Sequence, residues 1–382
     1  MTRVDVRAEL LRWARDRARL SVDALENKFP HLTEWESGER KPTLKQLETY
    51  AKATRTPVGY FFLPAPPEEP LPIPDFRTMG GRPVERPSPD LIEMVLVCQE
   101  RQEWFRDHAK ATGAERLAFV GSATVNSPIV ETAAAIRQKL GFDLEARRRC
   151  PTWTEALRSF IGQADGLGVL VMCSGIVMNN THRQLDPREF RGFALVDDRA
   201  PLVFINGKDT KAAQMFTLAH ELAHVWLGQS AISDSTVATR NQNAVETWCN
   251  RVAAEVLVPL ETVTESLRGS EALSDTVARL TRAFKVSSLV ILQRLRDARH
   301  ISWDEFQQAY DDELRRLANL PRPSGGGDFY MTTVARYSRR FARALVESTM
   351  EGRTLYRDAF RMLGISKTET FNELGRSLAF GG

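Results

Sequence analysis

Cysteine and histidine are scarce in this sequence, and long apolar runs are missing. Four cysteines occur among 382 residues, and none is spaced as CxxC, which excludes a disulfide framework and a thiolate zinc site. No stretch approaches the ~20 uncharged apolar residues of a membrane-spanning helix. The charged N-terminus lacks the apolar core of a signal peptide. We therefore expect a cytoplasmic protein without membrane contact and with reduced cysteines: Cys98, Cys150, Cys173 and Cys249.

An excess of charge of one sign is missing as well. The chain carries 52 Lys and Arg against 49 Asp and Glu, a net charge of +3, so the overall balance does not predict nucleic-acid binding. Hydrophobic residues make up 42% and charged residues 26% of the chain, as in soluble globular proteins. A chain of this length is expected to form two or three domains.

Prolines and glycines divide the chain into predicted segments. The proline-rich stretch 64–89 favours an extended spacer, and the triple glycine at 325–327 marks a second joint. The predicted fold class is α+β and predominantly helical. Its parts are an all-helical module (1–63), the linker (64–89), a domain of helices with a small antiparallel or mixed sheet (90–270), a helical lobe (271–320) and a basic helical domain (328–382).

Apolar spacing places the elements of the middle segment. Helical patterns cover 91–112, 129–140 and 152–164, and the chain again has a helical pattern from 211 to about 317. Strand-like runs cover three further segments, of which the last two are joined by a hairpin turn at 197–201. These predicted strands are 169–173, 190–196 and 202–205.

The segment TLAHELAHVWL (217–227) carries the motif HExxH within an apolar helical pattern. Two histidines four residues apart, His220 and His224, point from one helix face and can bind one zinc ion. The glutamate between them, Glu221, is placed to accept a proton from a zinc-activated water and pass it to the leaving amine. Only six histidines occur in the chain. The competing interpretation is a pair of hydrogen-bonded core histidines, and the spacing favours the metal site.

A catalytic zinc ion needs a third protein ligand. Glu246 begins the next apolar helix pattern and is the candidate, although an acidic residue is also favoured at any helix N-terminus. Asn250 lies one turn later and could orient a ligand from the second shell. Glu255 is about half a turn out of phase with Glu246, so both cannot face one metal.

The runs FTLAHELAHVWLG and VETWCNRVAAEVLVP resemble the ImmA/IrrE family of bacterial metallopeptidases, over roughly residues 150–300. The resemblance implies a zincin-like, gluzincin-type peptidase domain at 90–270. It also implies that His220, His224 and Glu246 bind zinc and that Glu221 is the general base. Members of this family typically cleave a helix-turn-helix repressor, so the implied partner is a protein: a repressor, or a paired toxin or regulator.

Two features of substrate binding are also expected. An edge strand often pairs with the substrate backbone in zinc peptidases of this helix type, and 193–196 and 202–205 are the candidates. A side chain beside the zinc ion should stabilise the oxyanion. The sequence offers His182, Arg191 and Asn206 and does not choose among them.

Residues 1–63 resemble the XRE family of helix-turn-helix domains, through LSVDAL (20–25) and WESGERKP (35–42). The segment at the turn and the start of the recognition helix, NKFPHLTE (27–34), is shortened and contains a proline. DNA binding and protein docking therefore remain open alternatives. The candidate DNA contacts are Lys28, His31, Thr33, Arg40 and Lys41.

Two further segments have helix-turn-helix or basic character. Residues 277–295 resemble the helical lobe that often follows the active-site helices of the same peptidase family, which favours a structural or docking role. Four arginines cluster near 336–343, but acidic residues follow at the same spacing, so a solvated helix face explains them.

The HExxH motif predicts a zinc-dependent endopeptidase, and the family resemblance implies that it cleaves a specific regulatory protein in stress, phage or toxin–antitoxin control. The main alternative is a non-enzymatic DNA-binding regulator or antitoxin whose zinc site is structural or regulatory. A nucleic-acid hydrolase is disfavoured, because no carboxylate cluster suits a two-metal site.

Overall fold

The computed structural model describes residues 3–75, 78–79, 82–83, 86–233, 243–318 and 336–380. The chain divides into two compact units. The first contains Met1–Pro72 and Val84–Val95, and the second contains Ile73–Pro83 and Leu96–Gly382. Parts of the predicted linker, and the predicted joint at 325–327, lie outside the described residues. No helix within the described ranges is both long and apolar enough to cross a membrane.

The first unit is built from short helices around one apolar core. Tyr50 lies at its centre, where its hydroxyl donates to the carbonyl of Leu11 at 2.9 Å and its ring contacts Phe29, Trp35 and Phe61. A capping box between Thr43 and Gln46 starts the fourth helix. The helices are α1 (Ala8–Arg17), α2 (Val22–Glu26), α3 (Leu32–Ser37) and α4 (Leu44–Thr54), followed by a 3-10 turn at Val58–Phe62.

The second unit contains a four-stranded mixed sheet in the order β3-β5-β4-β6. β3 is parallel to β5, and β4 is antiparallel to both β5 and β6. A separate two-stranded pairing joins β1 (Thr78–Met79) and β2 (Arg82–Pro83). The four strands of the main sheet are β3 (Leu170–Ser174), β4 (Gly192–Leu195), β5 (Leu202–Asn206) and β6 (Ala231–Ser233).

Helices pack against this sheet. Alternation along the strands turns Ala194 and Val203 toward the core that includes Leu218 and Leu222, whereas Phe193 and Phe204 stack on each other at 4.9 Å. The helices of this part are α5 (Pro89–Ala111), which belongs to the second unit from Leu96 onward, α6 (Ile129–Leu140), α7 (Leu144–Arg149), α8 (Trp153–Leu167), α9 (Lys211–Leu227) and α10 (Ala244–Leu257).

Three arginines hold the C-terminal end of α10. Arg137 of α6 donates to the carbonyl of Glu255 at 2.7 Å, and Arg147 of α7 donates to that of Leu257. Arg294 donates to the carbonyl of Val258 at 2.8 Å. The last carbonyls of a helix have no partner within the helix and favour cations, so α10 is fixed firmly at this end.

The remaining helices form a lobe and a C-terminal group. The lobe contains α11 (Leu260–Glu265), α12 (Leu273–Phe284), α13 (Ser288–Asp297) and α14 (Trp303–Ala318). The C-terminal group contains α15 (Arg339–Met350), α16 (Tyr356–Leu363) and α17 (Thr368–Phe380).

The C-terminal group is joined to the sheet through buried polar contacts. The guanidinium of Arg101 on α5 is buried and donates to the carbonyl of Met362 at 2.8 Å. Asp165 at the end of α8 accepts from the hydroxyl of Ser338 at 2.6 Å and the amide of Arg340 at 3.0 Å. Asn179, in the loop after β3, donates to the carbonyl of Gly364 at 2.8 Å. These helices therefore belong to the same packed unit as the sheet.

The predicted fold class, α+β and predominantly helical with a small mixed sheet, is confirmed. Two expectations are wrong. The helical pattern after 211 is interrupted by β6, a three-residue strand too short to show alternation. The segments 193–196 and 202–205 are not edges, because β4 and β5 are each paired on both sides. The edges of this sheet are β3 and β6.

Candidate metal centre

Helix α9 presents two histidines from the middle of a buried apolar segment. Thr210 caps its start by accepting from the amide of Ala213, and Gly228 ends it in the left-handed conformation, φ 72°. A methyl group at Gly228 would stand 2.9 Å from the Cα of Gly121, so this turn is tightly packed. The helix is thereby fixed at both ends.

His220, His224 and Glu246 form the only group of metal-binding side chains found among the described residues. The two Nε2 atoms lie 3.2 Å apart. Oε2 of Glu246 is 3.2 Å from Nε2 of His220, and Oε1 is 3.0 Å from Nε2 of His224. All three side chains are fully buried. The packing of α10 against α9 therefore brings together residues that are far apart in the sequence.

The position of Glu246 is set by its helix. Asn243 caps α10 by accepting from the amide of Val245 at 2.9 Å, which places Glu246 in the first turn, where the helix dipole favours a carboxylate. Burial acts to raise the pKa of Glu246, but the two imidazoles outweigh it and hold the pKa at about 2. The carboxylate is therefore charged at neutral pH.

These three side chains fit a divalent metal ion. Nitrogen and oxygen ligands about 2.0–2.2 Å from a tetrahedral metal lie about 3.3–3.6 Å from one another, slightly more than the separations observed. In addition, Nδ1 of His220 and Oδ1 of Asn250 are buried without a hydrogen-bond partner among the described residues. Asn250 lies one turn after Glu246, as the sequence predicts, and its role as a ligand-orienting residue stays a prediction.

Glu221 faces the sheet. It is fully buried, and a methyl group at Gly192 would stand 3.1 Å from its Oε1 and 2.5 Å from Cγ2 of Thr217. Only a glycine at the start of β4 lets the helix approach the strand this closely. Sequence reasoning missed Gly192, although an isolated glycine opening a strand pattern can signal close backbone approach.

Cys249 lies beside the cluster, but its thiol does not have the low pKa of a metal-binding thiolate. Burial raises the pKa of its thiol well above the ordinary value, and the charges of Glu246 and Glu221 raise it further. All four cysteines are free. Cys249 therefore stays a protonated thiol.

The other candidates contact groups outside the cluster. Glu255 pairs with Arg294. Asn206 donates to the carbonyl of Phe190 at 3.1 Å, and Arg191 lies 3.7 Å from Asp209. His182 is exposed in the loop between β3 and β4. The choice of an oxyanion donor among His182, Arg191 and Asn206 stays a prediction.

The candidate DNA contacts of the first unit surround a short helix. Glu34 of α3 accepts from Arg40 at 3.2 Å and lies 3.0 Å from Nδ1 of His31. Lys41 pairs with Asp5 at 2.8 Å. Lys28 and Thr33 are exposed. Arg40 and Lys41 are therefore already paired with acids.

Comparisons with known proteins match two segments of the chain. Residues 164–296 match the IrrE N-terminal-like domain of the M78 peptidases, and residues 337–377 match a domain of unknown function, DUF8813. Over 104 residues the chain is 32% identical to the radiation response metalloprotease IrrE of Deinococcus radiodurans. This alignment covers 26% of the chain and 32% of that relative. No solved structure matches.

The matched segment contains all of the elements that build the cluster, from β3 to α10. The relative is a metalloprotease by name, and the cluster offers the ligand set that such an enzyme needs. Together these observations support the ImmA/IrrE relationship of residues 164–296 and imply a metal cofactor.

Proposed function

We propose that this protein is a zinc-dependent endopeptidase of the HExxH, gluzincin type that acts in the cytoplasm. The observation that carries the proposal is the convergence of His220, His224 and Glu246 within 3.2 Å of one another in a buried site. Two imidazoles and one carboxylate form a donor set that suits zinc. Glu221, the neighbour of His220, supplies the general base.

The residues of the site have separate roles in peptide hydrolysis. His220, His224 and Glu246 would hold the zinc ion, which supplies Lewis-acid activation of a water molecule and of the scissile carbonyl. Glu221 accepts the proton of the attacking water on its carboxylate and delivers it to the leaving amine. Gly192 allows that carboxylate to lie between helix and strand without a steric clash.

The proposed substrate is a protein: a helix-turn-helix repressor, or a paired toxin or regulator in stress, phage or toxin–antitoxin control. This part of the proposal is supported only by the family resemblance, because no residue identifies the target. An XRE-like first unit would then dock the partner.

The alternative, a DNA-binding regulator with a structural zinc site, receives less support from the geometry. The recognition position is occupied by a six-residue helix, Leu32–Ser37. Its Glu34 contacts two of the candidate DNA-binding side chains, His31 and Arg40, and would repel a DNA backbone. We therefore favour docking of a protein.

A capture experiment in the native host tests the proposal. Wild-type protein is compared with Glu221→Gln, which keeps the metal ligands and removes the base, and with Glu131→Gln, an exposed change on α6. We expect an intact partner on Glu221→Gln and its fragments with wild type and Glu131→Gln. A partner held intact and equally by all three would make binding the function instead of hydrolysis.

A further inference from the structure

The outer edge of β6 is paired with residues 73–75 of the chain itself. The amide of Ile232 donates to the carbonyl of Pro74 at 3.0 Å, and Asp75 forms a parallel bridge with Ile232. Ile73 is buried, and residues 73–83 belong to the same compact unit as the sheet. We call residues 73–75 the strap.

The strap occupies the outward hydrogen-bonding position of a very short strand. β6 has three residues, and all three pair with β4. Along such a strand alternate residues direct their backbone groups toward the partner strand or away from it. Ile232, the central residue, directs its amide away from β4, and that amide is bonded to Pro74.

This edge lies beside the proposed general base. Ser233 of β6 pairs with Gly192 of β4, and the Cβ position of Gly192 is 3.1 Å from Oε1 of Glu221. The other edge strand, β3, is separated from β4 by β5. Of the two edges, β6 is therefore the one next to Glu221, and an exposed strand edge is a template for an extended peptide.

We propose that the strap occupies the substrate-receiving edge of β6 in the resting protein, so that an extended substrate backbone must displace it to reach Glu221. The inference rests on the proposed function and adds a means of regulating it. The attachment suits displacement: the strap contains a proline, which has no amide to donate, and Pro74 and Asp75 are exposed. Burial of Ile73 is its main apolar anchor.

A disulfide between positions 75 and 232 tests the strap. Paired strands lie about 4.8 Å apart, a separation that a disulfide can span. The double variant Asp75→Cys, Ile232→Cys should lock the strap when oxidised and release it when reduced. The probe is a fluorescent tripeptide hydroxamate, which joins a metal-binding group to an extended backbone, added to the metal-loaded full-length protein.

We expect the oxidised double variant to bind this probe about tenfold or more weakly than the reduced form. Each single-cysteine variant should bind equally in both redox states. Metal content and melting temperature, measured on the same samples, should not differ between the two forms of the double variant, which separates a blocked edge from a damaged site.

Hydrogen exchange supplies a readout that needs no ligand. In the wild type the Ile232 amide should exchange about tenfold or more slowly than in Ile73→Ser, which loses the buried anchor. Equal exchange in these two proteins would overturn the inference. So would equal probe binding by the locked and released forms, or no binding by either form while metal is retained.

The inference and the proposed function can fail separately. If probe binding follows the redox state but no protein is ever cleaved, the strap stands and the peptidase assignment is wrong. If cleavage occurs at the same rate with the strap locked and released, the peptidase assignment stands and the strap is wrong.

Discussion

Gly192 and Glu221 lie so close that a single methyl group at Gly192 would stand 3.1 Å from the Glu221 carboxylate oxygen. The same methyl group would meet Cγ2 of Thr217 at 2.5 Å and the carbonyl of Phe204 at 2.8 Å. Backbone and a buried helix cannot move aside freely, so the first strand residue of β4 controls how closely α9 lies on the sheet.

Gly192→Ala should lower the free energy of unfolding by about 1–3 kcal/mol, because added volume in a packed core forces side chains and backbone to shift. The matched control is Gly162→Ala on α8, where a Cβ meets nothing within 4 Å and alanine is the better helix former, by about 0.5–1 kcal/mol. Chemical denaturation of both variants measures the difference. A Gly192→Ala protein as stable as the wild type would contradict the packing described.

Removing a ligand should remove the metal. His224→Ala and Glu246→Ala should each weaken metal affinity by about 100-fold or more, since loss even of a residue behind the ligands costs about 10–100-fold. Glu261→Ala, an exposed change on α11, should leave it unchanged. Elemental analysis of dialysed protein gives the metal content per chain. If Glu246→Ala retains metal as well as Glu261→Ala, Glu246 is not a ligand.

Glu221→Gln should separate metal binding from hydrolysis. The amide cannot accept the proton, so the rate of cleavage should fall about 10²–10⁴-fold, whereas the metal content should match that of wild type. Single-turnover cleavage of the captured partner measures the rate. A variant that loses both metal and activity would show that Glu221 acts on the site's structure.

Two arginines that link α5 and α16, Arg101 on α5 and Arg361 on α16, should differ sharply in their effect on stability. Arg101 is buried and donates to the carbonyl of Met362, so Arg101→Met should cost about 1–3 kcal/mol by orphaning a buried acceptor. Arg361 is 65% exposed and pairs with Glu100, so Arg361→Met should cost about 0–1 kcal/mol. Thermal unfolding of the two variants, and limited proteolysis that monitors cleavage within residues 336–380, measure this difference. Equal costs would mean that the C-terminal helices do not depend on Arg101.

The ion pair between Glu271 and Arg279 should be visible in acid titration. Hydrogen bonding from Arg279 lowers the pKa of Glu271 to about 2. Because the pKa of Glu271 is lower in the folded state than its ordinary value of 4.5, the ion pair stabilises the protein fully at pH values above 4.5. That stabilisation is lost as the pH falls through about 2. Carboxyl-carbon NMR should therefore give a midpoint near pH 2. In Arg279→Leu the pKa should move back toward 4.5, and an unchanged midpoint would assign the shift to another group.

Local pattern predicted much of the middle of the chain. The helix at Ile129–Leu140 begins and ends where apolar spacing places it, and the hairpin formed by β4 and β5 follows its predicted turn. These elements are long or carry a clear turn signal, so their own residues specify them. β6 lacks both properties. It exists because Phe193 and its neighbours in β4 offer it a partner.

Contacts between residues far apart in the chain could not be predicted from the sequence, for a physical reason. Arg101 and Met362 lie far apart in the chain, and nothing local to either residue signals the other. The same is true of the three arginines at the end of α10, and of the pairing between Pro74 and Ile232. Each depends on which surfaces meet after the helices and strands have formed.

The spacing of His220, Glu221 and His224 on one helix is a local property, so the sequence alone was enough to predict a metal site of this type. The sequence also supplied Glu246 as the third ligand candidate. The tertiary structure was needed to show that Glu246 contacts both histidines, that Gly192 leaves room for Glu221, and that the strap lies on the edge of β6. These are contacts between elements distant in the chain, and packing, rather than local pattern, fixes their distances.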